Sequence, residues 1–580
     1  NAPEQFAYWE LYCSLLCKLV ARAAKGTPAT FVESLSASVG PDGAVSVAAR
    51  LRGEAVDCRA RAELHDEFNR PLSQAQTAPD ALTATLKLAG PLQTGPHLVT
   101  VWVTDAGGGV QDWRSVLIDV PGPRIVSIEP SAARYERGEK IEAAITCEGL
   151  HAGLRLSAEL TDTYGGVAAR DALDAADRAT VRLDSSLCRS LASRVWVRLL
   201  EGDRTVDEKT LLVPTIHDSD LSEYNVGIWA TYGSYVAKRH WGYSMVQAQA
   251  PLLVDTAIAG TPSAYALYDM RPAPENMHRI YFKDAEQYEQ MNLCEPGFRE
   301  SFLAAVTERV GGAYNWGAYD YSIGDECGYT LRTDEHTLAA FRAWLADKYG
   351  AVARLNEAWL SEFSSFDEVS FEHVGGAREG TVAPGLDHRL FSDQVFIDTI
   401  AAARMEIEAV DARNRVGISG TREPAHYIGF DWWKLSNAVT HLAFYDGLQR
   451  ETIRSFRKPG DMLTSFVGYD SADVNELAAR YFPWLETFSG FQGISIYSAS
   501  SGETGGVVRP DLTVTNRARW ITEEVTELKA GIAKAILSAE RTRPAIAMLY
   551  SQRSIHAAKM LGWPALDNLT SISEIIKDIG

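Results

Sequence analysis

A change of hydrophobic grammar near Pro214 constrains this chain more than any other feature. From Ala29 to Pro121 apolar and polar residues alternate in short runs, among them AVSVAARLRG, LTATLKL and HLVTVWVTD, separated by Gly, Pro, Asp and Asn. A period of two is strand geometry, and many short strands between turn signals predict a β-sandwich. After Pro121-Gly122-Pro123 the layout repeats in RIVSIEP, KIEAAITCEG, LRLSAELTD, RATVRLD, SRVWVRLLEGD and TVDEKTLLVP. Two tandem immunoglobulin-like modules, 27–121 and 122–214, are the simplest account. The similar turns Thr104-Asp105-Ala106-Gly107 and Thr161-Asp162-Thr163-Tyr164-Gly165 add a weak sign of duplication.

Beyond Pro214 buried-looking strands alternate with helical stretches, which predicts βα units. Candidate strands run from Tyr224 to Ala230, Pro251 to Ile258, Tyr265 to Met270, Tyr314 to Ile323, Val416 to Ser419, Thr440 to Phe444, Met462 to Val467 and Gly493 to Tyr497. Between the first two, a helix is expected around Tyr235 to Gln249. Further helices are expected from Glu295 to Val310, from Thr333 as a cap onward, and from Ser392 to Arg413. Eight strands in this rhythm predict a (β/α)8 TIM barrel over 215–538. Residues 1–26 read as one amphipathic helix whose apolar face must dock elsewhere, as part of an adjoining domain. After a helix from Trp520 to about Ala535, Pro544 to Tyr550 reads as a buried parallel strand opening a further α/β unit over 539–580.

Composition narrows the function. The formal net charge is −20 and no Lys/Arg-rich run interrupts it, so the electrostatic footprint of a nucleic-acid or anionic-lipid binder is missing. No run reaches the ~20 apolar residues that span a bilayer. The seven cysteines, at 13, 17, 58, 147, 188, 294 and 327, are odd in number and lack a CxxC pair, so neither a disulfide framework nor a metal site is expected, and no cofactor. The compartment is left open. Fourteen Trp and 23 Tyr supply aromatic faces for sugar rings, although most large aromatics in any globular protein are core.

Barrel enzymes draw reacting groups from the C-terminal ends of their strands. Those ends carry Trp229, Asp325-Glu326, Glu423, Asp446, Asp470 and Tyr497. Glycoside hydrolysis needs one protonated and one ionised carboxyl group, and carboxylates at four strand ends exceed that minimum. The bland alternative is turn chemistry, since Glu423-Pro424 and Asp446-Gly447 are ordinary turn pairs. Asp431-Trp432-Trp433 reads either as a hydroxyl acceptor with a stacking platform or as helix packing. His240, Trp241 and Arg271 are further plausible contacts.

The acidic pair at a strand end, followed by AFRAWLADKYGAVARLNEAWLSEFSSFDEV, resembles the corresponding part of glycoside hydrolases related to family 42 β-galactosidases, in the clan of retaining (β/α)8-barrel enzymes. The resemblance implies that Glu326 is the general acid/base. It also implies that the barrel is followed by a flavodoxin-like trimerisation domain, and hence that a homo-oligomer is among the expected assemblies. The clan usually has Asn before the acid/base, where this chain has Asp325. The cysteines that bind zinc in many family 42 enzymes are missing between 327 and 340 apart from Cys327, so no zinc site is implied. The clan's nucleophile is a Glu at the end of strand seven. Here that strand runs MLTSFVG and the first carboxylate is Asp470, with Glu423 and Asp446 as alternatives.

The expectation is therefore a glycosidase acting on a β-linked, galactoside-like substrate by retention. Glu326 and Asp470 would be its carboxyl pair, and Asp325, Glu423, Asp446, Asp431, Trp432, Trp229 and Tyr497 would surround the sugar. A barrel that has lost hydrolysis and serves as a carbohydrate-binding or assembly scaffold is the alternative.

Overall fold

The computed structural model describes residues 3–25, 28–53, 57–80, 82–90, 92–163, 165–216, 224–229, 245–248, 263–266, 292–325, 331–375, 380–412, 415–421, 431–445, 449–467, 475–496, 507, 509, 513–540 and 546–563. The chain divides into two compact units, Asn1–Cys188 with Arg194–Val213, and Arg189–Ser193 with Pro214–Gly580.

In the first unit the alternating runs become β1 (Thr30–Val39), β2 (Val45–Gly53), β3 (Arg59–His65), β4 (Pro71–Thr77), β5 (Thr83–Leu88), β6 (Gly95–Thr104) and β7 (Val110–Val120). They form a three-stranded sheet, β1-β2-β5, and a four-stranded sheet, β4-β3-β6-β7. The inward residues of both, Val47, Leu51, Ala62, Leu86, Val99 and Val101 among them, share one apolar core. The second half repeats this with β8 (Arg124–Pro130), β9 (Tyr135–Glu136), β10 (Lys140–Glu148), β11 (Leu154–Asp162), β12 (Val167–Asp174), β13 (Arg178–Asp184), β14 (Ala192–Glu201) and β15 (Arg204–Ile216). Its sheets, β13-β10-β8 and β12-β11-β14-β15-β9, follow the same order of pairing around a core of their own.

The repeat lies in the topology and not in the turns singled out from sequence. Asp105 closes the β6–β7 hairpin and Asp162 the β11–β12 hairpin, which are different places in the two halves. The equivalent of Asp162 is Asp66, between β3 and β4. At both, the side chain accepts from the backbone N–H four residues on, at 2.8 Å for Arg70 and 2.7 Å for Gly166. Three residues on, the backbone turns left-handed, at Asn69 and Gly165. Asp105 makes the same closure with Gly109, so the shared string reflects a common way of ending a strand pair, an Asp whose carboxylate bonds the backbone ahead of it.

The N-terminal helix spans Pro3–Lys25. It meets β7 through polar groups: Ser14 accepts from the Trp113 indole N–H, Lys18 pairs with Asp112 at 2.9 Å, and the Lys18 ammonium lies 5.3 Å from the Trp113 ring centroid. Leu15, Leu16, Leu19 and Val20 are exposed.

The second unit is built on a closed eight-stranded barrel, β16 (Asn225–Trp229), β17 (Met245–Ala248), β18 (Ser263–Ala266), β19 (Ala318–Asp325), β20 (Arg415–Thr421), β21 (His441–Tyr445), β22 (Met462–Val467) and β23 (Gly493–Ile496). Every neighbouring pair is parallel, including β23 with β16, which closes the ring. The second strand lies within the segment expected as a helix, and residues 251–258, expected as that strand, lie outside the described residues. Short apolar runs fit either state by periodicity, so the pairing with β16 decides. The fourth strand starts at Ala318, because Tyr314 and Asn315 finish the preceding helix, Pro296–Asn315. The helix after β19 is capped by Asp334, whose carboxylate accepts from Thr337 N–H, rather than by Thr333.

The string that carries the family resemblance is a packing device. Lys348, Tyr349 and Trp359, from the helices Glu335–Tyr349 and Val352–Trp359, converge on the buried carboxylate of Asp387 in the helix Ala383–Val410. The tyrosine hydroxyl donates at 2.6 Å and the indole N–H at 2.9 Å. Burial and the adjacent Asp387 charge push the Tyr349 hydroxyl upward from its ordinary range.

Residues 546–550 do not form the expected strand. Ile546, Met548 and Leu549 are exposed, and no ladder partner lies beside them among the described residues. A parallel strand is stable only with a neighbour to pair its backbone. The helix that follows, Gln552–Met560, does dock, through a fully buried pair of His556 Nε2 and Asp393 Oδ2 at 2.7 Å. Burial raises the Asp393 carboxyl, and His556 opposes that shift.

Candidate active site at the barrel rim

All eight strands run in one direction, so their C-terminal ends open on one rim, the face on which barrel enzymes assemble their sites. The strand ends fall close to the carboxylates named from sequence. Glu326 follows Asp325 at the end of β19, and Asp446 follows Tyr445 at the end of β21. Glu423 comes two residues after β20 and Asp470 three after β22, and Tyr497 directly follows β23. Glu326, Glu423, Asp446, Asp470 and Tyr497 themselves lie outside the described residues, as do His240, Trp241 and Arg271. Asp325 and Trp229 are the last residues of β19 and β16, with only their backbone described.

Asp431 and Trp432 can be placed in full. Asp431 caps the helix Trp432–Ala438, its carboxylate accepting from Lys434 N–H at 3.2 Å. Trp432 is fully buried, and its backbone N–H donates to the Tyr550 hydroxyl at 3.1 Å. A ring with no open face cannot stack on a sugar, so of the two readings the sequence left open for Trp432, helix packing is the correct one. Trp433, one residue on, is exposed and lies edge-on to Phe456 at 5.4 Å.

Beneath the rim the lumen is lined by polar groups that sequence reasoning missed. Ser322 of β19 and Ser419 of β20 share a hydrogen bond at 2.9 Å. Lower down, His441 Nδ1 contacts Asp320 Oδ2 at 2.7 Å, and its Nε2 lies 3.1 Å from Thr464 Oγ1. Because an ionised carboxylate only accepts, Nδ1 carries the proton and donates to Asp320. All five residues are buried. The outward neighbours on β19, Tyr321 and Ile323, pack into the apolar layer against the helices, so β19 alternates polar inward with apolar outward. That alternation, AYDYSIGD, was the available signal; a barrel strand buried on both faces ordinarily reads as continuously apolar.

Comparison with known proteins comes to the same region. Residues 281–461 match the family model Glyco_hydro_42, described as beta-galactosidase; the matched stretch contains β19, β20 and β21. Beta-galactosidase BgaA of a Thermus species is 29% identical over 218 residues, covering 34% of this chain and 32% of the relative. A beta-galactosidase of an Arthrobacter species is 25% identical over 198 residues, covering 27% and 28% respectively. The match thus spans about a third of the length of these curated relatives. Among solved structures, the beta-galactosidase from Bacillus circulans sp. alkalophilus aligns with a TM-score of 0.51 at 13% identity, covering 61% of this chain and 63% of that one. At that identity the likeness concerns the fold alone. The resemblance to family 42 glycoside hydrolases read from the Asp325-Glu326 region is borne out, and the fold is a TIM barrel with additional β-rich domains.

Proposed function

We propose that this barrel hydrolyses a β-linked galactoside or a close relative of one with retention of configuration. The observation that carries the reading is the beta-galactosidase family match over 281–461, which runs through the strand that leads to Glu326. In this reading Glu326 is the general acid/base, protonating the leaving oxygen and then activating water. Asp470 is the nucleophile, with Glu423 and Asp446 as its alternates. Asp325, Asp431, Trp229 and Tyr497 lie around the substrate. Retention requires the two carboxyl groups to stand about 5 to 5.5 Å apart. A side chain one methylene shorter than Glu serves only if the backbone comes closer by about 1.5 Å, and Gly468 ahead of Asp470 gives the backbone that freedom.

The two sandwiches we read as immunoglobulin-like modules, 27–121 and 122–214. The support is their pairing order, in which the first, second and fifth long strands form one sheet and the third, fourth, sixth and seventh the other, in both halves. The reading of 539–580 as the start of a flavodoxin-like unit rests on the family resemblance alone.

The test is a panel of aryl β-galactosides, β-glucosides and β-mannosides, with the anomer of the first product followed by NMR. Turnover of the β-galactoside with β-galactose formed first is the expected result. Sugar binding without turnover of any glycoside would overturn it in favour of a carbohydrate-binding scaffold.

A further inference from the structure

We propose that Asp320, His441 and Thr464 form a positioning brace across the barrel lumen, fixing β19, which leads to the acid/base, against β22, which leads to its partner carboxylate. The functional half of this inference rests on the glycosidase reading above; the structural half stands apart from it.

The three side chains come from β19, β21 and β22, and β20 lies between the first two. Beside His441, β20 presents a glycine that lets the two strands pack closely. Gly417 pairs with Ser322 on one side and with His441 on the other. A Cβ there would sit 1.9 Å from the His441 carbonyl oxygen and 3.1 Å from its Cβ, so any side chain would push β21 away. From this closely packed strand, Nδ1–H donates to Asp320 Oδ2, while Nε2 takes the Thr464 hydroxyl. One imidazole therefore links β19 to β22, strands that are not neighbours in the barrel.

Packing alone does not account for the trio. Barrel lumens are filled most economically by branched apolar side chains, and a buried carboxylate is costly unless fully paired. Asp320 is 3% exposed, yet its Oδ1 meets no protein partner among the described residues. What the trio supplies is direction. Strand side chains alternate faces, so a one-residue slip of β19 or β22 would turn Asp320 or Thr464 out of the lumen and break the bridge. A brace of this kind defines register, and register defines how far apart the carboxyl groups beyond the two strand ends stand.

The experiment uses the full chain with the substitutions Thr464→Val, Thr464→Ser and His441→Gln. If the brace positions the reacting groups, His441→Gln lowers kcat on an aryl β-galactoside by roughly 10²-fold, the usual consequence of an ångström of misplacement, with KM within about twofold. Thr464→Val lowers kcat less, Thr464→Ser restores it, and the double variant His441→Gln/Thr464→Val is no worse than His441→Gln alone because the two groups act as one. A kcat within twofold of the parent in both His441→Gln and Thr464→Val would overturn the positioning role. Amide hydrogen exchange reads the brace without reference to turnover. In Thr464→Val, protection is expected to fall in β19 and β22 together, and in Thr464→Ser in neither; loss confined to β22 would overturn it. Should the parent turn over no glycoside, the glycosidase reading falls and the exchange data decide the brace alone.

Discussion

The two units both bury carboxylates, and they neutralise them in opposite ways. Where the two sandwiches of the first unit meet, Asp66, Asp207 and Glu208 are buried, and Arg70 reaches in from a half-exposed position to pair with both Asp66 and Glu208. Arg198 approaches Glu208 at 3.4 Å, and the Asp207 carboxylate accepts from the backbone N–H of Ile125 and of Glu208. In the barrel lumen, among the described residues, Asp320 pairs with His441, and His441 with Asp320 and Thr464, all three buried. A long flexible arginine at a domain joint tolerates small shifts of its partners and keeps part of its charge in water. An imidazole held at both nitrogens tolerates none. The joint therefore holds two bodies together, whereas the lumen fixes strands to one another.

Breaking the chemistry that the lumen is held to support should have the largest effect. Glu326→Gln is expected to lower kcat on an aryl galactoside with a poor leaving group by roughly 10²–10⁴-fold, in steady-state assays beside a circular-dichroism check of folding. Near-normal turnover would remove Glu326 from the role and with it the reason for a rigid lumen.

Next in size is the acid that organises the outer helices. Asp387→Ala leaves Lys348, Tyr349 and Trp359 without their common acceptor, and a loss of about 3 kcal/mol is expected in urea unfolding of the barrel. That is the low end for a broken buried pair, because Lys348 retains access to water. A change under 1 kcal/mol would mean that the resemblance-bearing string does not hold the helices.

In the sandwich unit, Leu156→Ala empties a fully buried site in the second core and should cost roughly 2–5 kcal/mol while leaving turnover unaltered. A matching loss of kcat would contradict the separation of tasks between the two units.

The smallest effect is a slope with pH at the joint. Burial pushes the Glu67 carboxyl up to about 7 from the ordinary 4.5; Asp207, Asp66 and Glu208 reinforce the shift and Lys209 opposes it. Between those two values the folded protein holds a proton that the unfolded chain has released, so stability falls as pH rises through the window. Glu67→Gln should flatten this slope in melting temperatures taken across it. An unchanged slope would assign it to another of the acids.

Much of this architecture is written in local pattern. The period-two runs from Ala29 to Pro214 became the strands of two sandwiches, and the runs read as ending at Ile323 and Val467 became β19 and β22, because alternation and abrupt stops are properties of residues close in sequence. The second barrel strand was misread, since four residues, Met245–Ala248, carry too little period to separate strand from helix. Trp432 was ambiguous because a Trp on a short amphipathic helix looks the same whether its ring faces core or solvent.

From sequence alone followed the division at Pro214, the parallel barrel, the carboxylates just beyond its strand ends and the family resemblance, all of which depend on near neighbours along the chain. Only the tertiary structure decided that Asp387 gathers Lys348, Tyr349 and Trp359, that His556 meets Asp393, and that His441 reaches Asp320. These contacts join residues far apart in sequence. Whether a buried polar group finds its partner depends on barrel closure and strand register, which no local pattern encodes.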